Sequence, residues 1–311
     1  MHHKTIDCPI LLIAFNRPDE TLVILNEIKK ANPPRLYVAL DGARAGNESD
    51  TKNCKEVRKI IEEFELDGTL KIQQQPHNLG CRDAVVAGID WFFENEELGI
   101  ILEDDIVPHE AFFTFLPEML KKYEAEKDIK AVLGFNVNGQ NVKSDDYFFY
   151  EGFYPWGWGC WRDRWVNYSK DKFDLNWLKQ ERSKRSKYRY LLDSLVLNLS
   201  LIRKGCLDTW DYQFMYMIFK EGGKTIAPYA NMTKNIGVNG AHSTNNELNF
   251  EYGKISSDVQ FDAQEVNIDE RLNALFLREH YDNRRIVRLK KIVLSLGLYP
   301  SLRRLFKTLS R

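Results

Sequence analysis

The chain has 311 residues, 43% of them apolar, enough for one elaborated α/β domain with a large core. Its five cysteines (Cys8, Cys54, Cys81, Cys160, Cys206) are odd in number, scattered and free of CxxC pairs, which excludes a disulfide framework and a structural zinc site and fits a reducing compartment. The net charge of −1 hides an asymmetry: nine Lys/Arg and no acid lie between Arg284 and Arg311, leaving 35 basic against 45 acidic residues elsewhere, a balance that argues against a general nucleic-acid binder.

In chain order, residues 9–15 (PILLIAF) form an apolar run closed by Asn16-Arg17-Pro18, predicting a buried strand. A helix follows over 19–30, with Asp19 as its expected N-cap. A strand from Leu36 to Leu40 ends at Asp41-Gly42, a helix spans 50–65, and a short strand runs from Leu70 to Gln74. Residues 81–94 read as helix, and Ile100 to Leu102 as a strand closed by Glu103-Asp104-Asp105. Such alternation predicts a mostly parallel sheet flanked by helices, with the ligand beyond the carboxyl ends of the strands. The polar clusters fall at those ends.

A helix is predicted over 110–123, a helical insertion over 166–205, and a helix from Tyr212 to Lys220. No segment reaches the roughly 18 apolar residues that span a bilayer, and no signal peptide is read at the start. Residues 1–245 are expected to form the domain proper, divided near 127, with 246–283 a polar connecting segment. Residues 284–311 place leucines, isoleucines and valines among the basic residues, the pattern of two amphipathic helices. The tail suits either the surface of an anionic membrane or the acidic body of the chain.

Carboxylates held on a rigid strand end can bind a hard divalent cation through oxygen, which leaves coordination sites for diphosphate. The same triplet also reads as a solvated acidic turn. The aromatic stretch 153–165, with Trp156, Trp158 and Trp161, reads either as a wall for sugar rings or as core filling.

The first half resembles the nucleotide-sugar half of GT-A glycosyltransferases: Asn16-Arg17-Pro18, Asp41-Gly42, Asn78-Leu79-Gly80 and Glu103-Asp104-Asp105 fall in the order and spacing of the N-acetylglucosaminyltransferase I type. The second half is similar to bacterial family-2-like sugar transferases of surface-polysaccharide loci. It carries Pro155-Trp156-Gly157-Trp158, Trp161-Arg162-Asp163-Arg164-Trp165, Asp208-Thr209-Trp210-Asp211 and Pro228 through Asn235-Ile236-Gly237 to His242. The resemblance spans residues 9–245. It implies a donor pocket of Ala14, Phe15, Asn16 and Arg17, with Asp41 on the base or ribose and Arg82 and Asp83 on phosphates and sugar. It also implies Glu103 on the donor sugar, Asp104 on ribose or the metal's water shell, and Asp105 as ligand of Mn²⁺ or Mg²⁺. Asp211 stands where the related enzymes place the general base, but Tyr212 replaces their second aspartate, which leaves Asp208 as a rival; Asp211 as a helix N-cap is the plainer reading. His242 reads as a late metal ligand or an ordinary loop histidine.

The expected activity is metal-dependent inverting transfer from a nucleotide diphosphate sugar, UDP-sugar favoured, to a hydroxyl of a glycan or lipid-linked acceptor, at the cytoplasmic face of a membrane. A sugar nucleotidyltransferase shares this architecture but should open on a glycine-rich loop where this chain has Asn-Arg-Pro-Asp. A metal-dependent hydrolase would need more ligands than six histidines suggest, and a non-catalytic sugar-binding protein would not need the strand-end carboxylates.

Overall fold

The structure, a computed structural model, describes residues 5–139, 144, 146–237, 251–255, 261–262 and 264–281. The basic tail and His242 lie outside the described residues.

Continuous apolar runs make the first strands, because each is covered on both faces. Strand β1 (Ile10–Ala14) leads into helix α1 (Pro18–Ala31), and β2 (Arg35–Leu40) into α2 (Glu48–Glu62). Then come β3 (Thr69–Gln74), α3 (Cys81–Asn95), β4 (Leu98–Glu103), the short β5 (Ile106–Pro108) and α4 (Phe112–Lys122). The second half comprises β6 (Ile129–Leu133), β7 (Tyr147–Tyr150), β8 (Trp158–Trp161) and α5 (Arg162–Trp165). It continues through α6 (Leu175–Lys184), α7 (Arg189–Arg203), α8 (Asp211–Lys220), β9 (Lys224–Pro228), β10 (Thr233–Asn235) and α9 (Glu270–Tyr281).

One sheet of eight strands runs in the order β3-β2-β1-β4-β8-β6-β9-β7, and β10 pairs with β5 in a separate two-stranded ribbon. The first four strands are parallel, with Leu12 opposite Val38 on one side and Leu102 on the other. β8 is antiparallel to both neighbours, β9 lies parallel to β6, and β7 closes the edge antiparallel to β9. The architecture is the α/β sheet flanked by helices that the alternation predicts. The pleat sends Leu11 and Ile13 to a face covered by Val85, Ile89 and Phe92 of α3 and by α7 and α8. Ile10 and Leu12 point to the other face, against Ile24, Leu25 and Ile28 of α1, Val57 and Ile61 of α2, and α4.

Two expectations change. Arg17, not Asp19, holds the N-cap position of α1 and offers no side-chain cap; Pro18 presets the first turn, and Asp19 and Glu20 sit in it, where the helix dipole favours acids. Within 246–283, expected as a polar connector, α9 sends Phe276, Leu277 and Tyr281 into the core, and Phe276 stacks on Phe148 of β7 at 4.7 Å. The helical insertion is present as α6 and α7. Among the described residues no helix is long and apolar enough to cross a membrane.

Candidate functional site

β1 has β2 on one side and β4 on the other: the chain winds outward from β1 through β2 to β3, then crosses back to place β4 on the opposite side. This is the topological switch point of an open α/β sheet, where a crevice opens beyond the carboxyl ends of the strands. Phe15-Asn16-Arg17 follows β1 and Glu103-Asp104-Asp105 closes β4, so parallel pairing alone brings the two motifs together. The Phe15 N–H donates to Asp104 Oδ2 at 3.1 Å, and the Asp104 N–H donates to the Ile13 carbonyl at 3.0 Å. Arg17 Nη1 lies 3.2 Å from Asp104 Oδ1 and 2.5 Å from Asp105 Oδ2.

Three adjacent carboxylates share this one guanidinium. Burial first, then the charges of Asp105 and Asp104, push the Glu103 carboxyl well above the usual carboxylate range. Burial likewise raises Asp104, although Arg17 opposes it. For Arg17 burial lowers the value, and Asp104 and Asp105 more than offset that, so its charge is held firmly. The ribbon of β10 and β5 delivers a third motif: the Ile236 N–H donates to the Asp105 carbonyl at 2.8 Å, and a Cβ placed on Gly237 would come within 2.4 Å of Asp105 Oδ2.

Other expected donor contacts are placed differently. Ala14 is buried inside β1, and its carbonyl accepts from the Asp41 N–H at 3.2 Å. Asp41 is nearly buried: Oδ1 accepts from the N–H groups of Gly42 and Leu79 at 2.8 and 2.9 Å, and Oδ2 from Asn78 Nδ2 at 2.7 Å. Its carboxylate pins the Asn78-Leu79-Gly80 turn to the end of β2 instead of facing a base or ribose. Gly42 is needed there, since a Cβ would meet the His77 backbone at 2.4 Å.

The N-terminus of α3, expected to face donor phosphates, is already occupied by a carboxylate. Asp208 Oδ2 accepts from the Cys81 N–H at 2.9 Å and Oδ1 from the Arg82 N–H at 3.2 Å. Gly80, with φ +83°, makes room, because a Cβ would stand 2.7 Å from Asp208 Oδ2. Asp208 thus serves as a remote cap for α3. Arg82 and Asp83 pair with each other at 3.1 Å, and each reaches the loop after α5: Lys170 is 3.1 Å from Asp83 and Asp171 is 3.7 Å from Arg82. Asp211 does not cap α8; it is that helix's first residue, and it accepts a hydrogen bond from the Thr209 hydroxyl. Its charge is felt by Glu103, Cys81 and Tyr154, and also by Tyr168, Tyr212 and Tyr281.

The tryptophans divide. Trp158 and Trp161 are 1% and 2% exposed in β8, so neither lines a sugar wall. Trp158 stacks on Trp210 at 5.4 Å, and Trp161 donates from Nε1 to the Leu120 carbonyl at 3.0 Å with Arg164 over its ring. Trp156 alone of the three is half-buried, edge-on to Tyr154 at 4.9 Å.

The sequence reading missed a second cluster beside Phe15. Asp50 accepts a two-point contact from Arg44 and a 2.8 Å bond from Asn16 Nδ2, while Asn53 donates to the Asn16 carbonyl at 3.2 Å. The Arg44 guanidinium lies 5.7 Å above the Phe15 ring. A lone Arg before α2 and a lone Asp in its first turn carry no motif that would have revealed them.

Among the described residues no group of three His, Cys, Asp or Glu is arranged to hold a metal ion. Asp104 Oδ1 and Asp105 Oδ2 nevertheless converge on a single point of positive charge, the Arg17 Nη1 atom. Two converging hard oxygens fit a Mg²⁺ or Mn²⁺ ion whose remaining ligands are water and diphosphate.

No family model matches the chain, and no curated protein matches it in sequence. Among solved structures it is similar to HddC from Yersinia pseudotuberculosis, at 10% identity and a TM-score of 0.33, over 54% of this chain and 83% of that one. It is also similar to a UDP-glucose pyrophosphorylase complexed with UDP-glucose, at 9% identity and a TM-score of 0.37, over 74% of this chain and 92% of that one.

Proposed function

We propose that the chain is an enzyme acting on a nucleotide diphosphate sugar, and that it transfers the sugar to an acceptor hydroxyl with inversion. The observation that carries this reading is the meeting of Arg17, Asp104 and Asp105 at the switch point, with the charge of Asp211 felt by the neighbouring Glu103. Asp211, at the start of α8, takes the acceptor's proton as its oxygen attacks the anomeric carbon. The Thr209 hydroxyl holds that carboxylate in place. Phe15, Asn16 and the Arg44–Asp50 pair form the floor for base and ribose, with UDP favoured by the sequence resemblance alone. Glu103 faces the donor sugar and Trp156 the acceptor side. Asp104 and Asp105 would hold a divalent cation bound with the donor, which would supply neutralisation of the charge on the leaving diphosphate. Residues 284–311 would hold the enzyme at an anionic membrane surface, beside a lipid-linked acceptor.

A sugar nucleotidyltransferase is the second reading, and the named pyrophosphorylase is of that class. At such superposition scores the likeness decides nothing between the two. Against it stands the start of α1, where Pro18 removes an N–H from the turn that would have to wrap a nucleoside triphosphate. Incubation with UDP-sugars and Mn²⁺ should release UDP. Release of pyrophosphate from UTP and a sugar 1-phosphate, without UDP release from UDP-sugars, would replace the first reading by the second.

A further inference from the structure

Among the described residues Arg17 is the one cation in contact with the acidic triplet's two converging oxygens, and it stands between them. Three features bear on how firmly it is fixed there. Its Nη1 atom is shut off from solvent and lies within ion-pair distance of both carboxylates. The side chain as a whole keeps 28% of its surface exposed and springs from the cap position of α1, so it has a way out towards the crevice. Beside Asp105, Gly237 brings only backbone: a side chain there would overrun Asp105 Oδ2. Among the described residues the cluster is also short of positive charge, with three carboxylates against one guanidinium.

From these contacts we infer that Arg17 is a resident counter-ion that a divalent cation displaces, so that metal and guanidinium compete for Asp104 Oδ1 and Asp105 Oδ2. The inference rests on the proposed function and concerns the control of that same site. Two cations cannot share oxygens this close without strong mutual repulsion. Before loading, Arg17 keeps the buried carboxylates compensated, which spares the fold an unpaired charge cluster. Once displaced, its planar fork of donors suits a diphosphate arriving in the crevice. Metal and nucleotide should therefore bind cooperatively: the metal frees the arginine, and the nucleotide captures it. Linkage makes the coupling reciprocal.

The test is titration calorimetry of Mn²⁺ into the full chain without nucleotide, comparing the unaltered protein with Arg17→Gln. The variant should bind Mn²⁺ at least tenfold more tightly, and adding UDP should improve its Mn²⁺ affinity less than it does in the unaltered protein. Equal or weaker Mn²⁺ binding by a folded Arg17→Gln protein overturns the inference and leaves the proposed function standing. A second measurement needs no variant: in the unaltered protein the Arg17 Nε–H resonance should shift during a Mg²⁺ titration, with the midpoint of metal binding. A resonance that stays put while Mg²⁺ binds overturns the inference as well. If the unaltered protein binds neither Mn²⁺ nor UDP, separately or together, the proposed function itself falls, and the inference with it.

Discussion

Asp208 and Cys81 are 127 residues apart in the chain, and the carboxylate of one accepts the backbone N–H of the other at 2.9 Å. This contact joins the first turn of α3 to the loop that opens α8, three residues before Asp211. It separates two aspartates that the sequence leaves equivalent. Asp208→Asn keeps one acceptor oxygen and gives up the other, so it should cost less than the roughly 1 kcal/mol of losing a helix cap outright, lowering the melting temperature slightly with turnover reduced only modestly. Asp211→Asn should do the reverse, lowering turnover roughly a hundredfold with stability and nucleotide binding unchanged. Thermal melts beside UDP-release kinetics check both. A dead Asp208→Asn enzyme with an active Asp211→Asn partner would reverse the assignment.

Asp105→Asn removes a charge at nearly constant shape from the oxygen that faces Arg17. The expected outcome is a folded protein in which Mn²⁺ no longer strengthens UDP binding. Circular dichroism and thermal shift with UDP, with and without Mn²⁺, would show it; a full Mn²⁺ effect in the variant removes Asp105 from the metal site.

Trp156 and Trp158 are two residues apart and should behave oppositely. Trp158→Ala empties a site in the middle of the sheet and should cost roughly 3–5 kcal/mol. Trp156→Ala should leave unfolding almost unaltered and weaken acceptor use. Urea denaturation of both variants distinguishes them.

The Asp50 carboxyl is held below its ordinary value, chiefly by the Arg44 hydrogen bonds and then by Asn16, against a burial cost. A depressed acid contributes stability that is complete above the unfolded value, near about 4, and is lost as pH falls through the lower folded value. The melting temperature should therefore drop below about pH 4, and Asp50→Asn should flatten that acid limb while lowering stability at neutral pH. An acid limb unchanged in the variant would show that other carboxylates govern it.

Residues 284–311 concentrate nine basic charges among leucines, isoleucines and valines. Their deletion should abolish sedimentation with anionic liposomes at low salt and leave UDP release intact. Full-length protein that stays in the supernatant would leave the tail no membrane role.

Strand ends were the most legible part of the sequence, because a fully buried strand is a continuous apolar run and the first polar residues after it must lie at the sheet's edge. Hence Asn16-Arg17 and Glu103-Asp104-Asp105 could be brought to one crevice on paper. What a side chain does once there was less legible. Asp41 looks like a ligand-facing acid until its partners, the Asn78 side chain and the Leu79 N–H, are seen to absorb it. Asp208 looks like a base until Gly80 is found to have cleared a space for it. The stretch Trp158–Trp161, which reads as sugar wall or core filling, is a strand buried between two others, a setting that erases the period-two pattern. α9 was hidden for the opposite reason: Phe276 and Leu277 are few among charged neighbours, and only the β7 surface they cover gives them meaning.

The position of β8 also sets an order of events for the chain as it is made. β4 and β6 are both complete before residue 134, but they do not touch; each pairs with β8, which arrives only at residues 158–161. Until then the finished β3-β2-β1-β4 half exposes the edge of β4, a row of unpaired N–H and carbonyl groups that another chain could pair with. The halves are joined by insertion of a four-residue plank rich in tryptophan. A nascent or truncated chain ending before residue 158 therefore carries a sticky, half-built sheet, and the speed with which Trp158 and Trp161 seat themselves governs the contest between folding and aggregation.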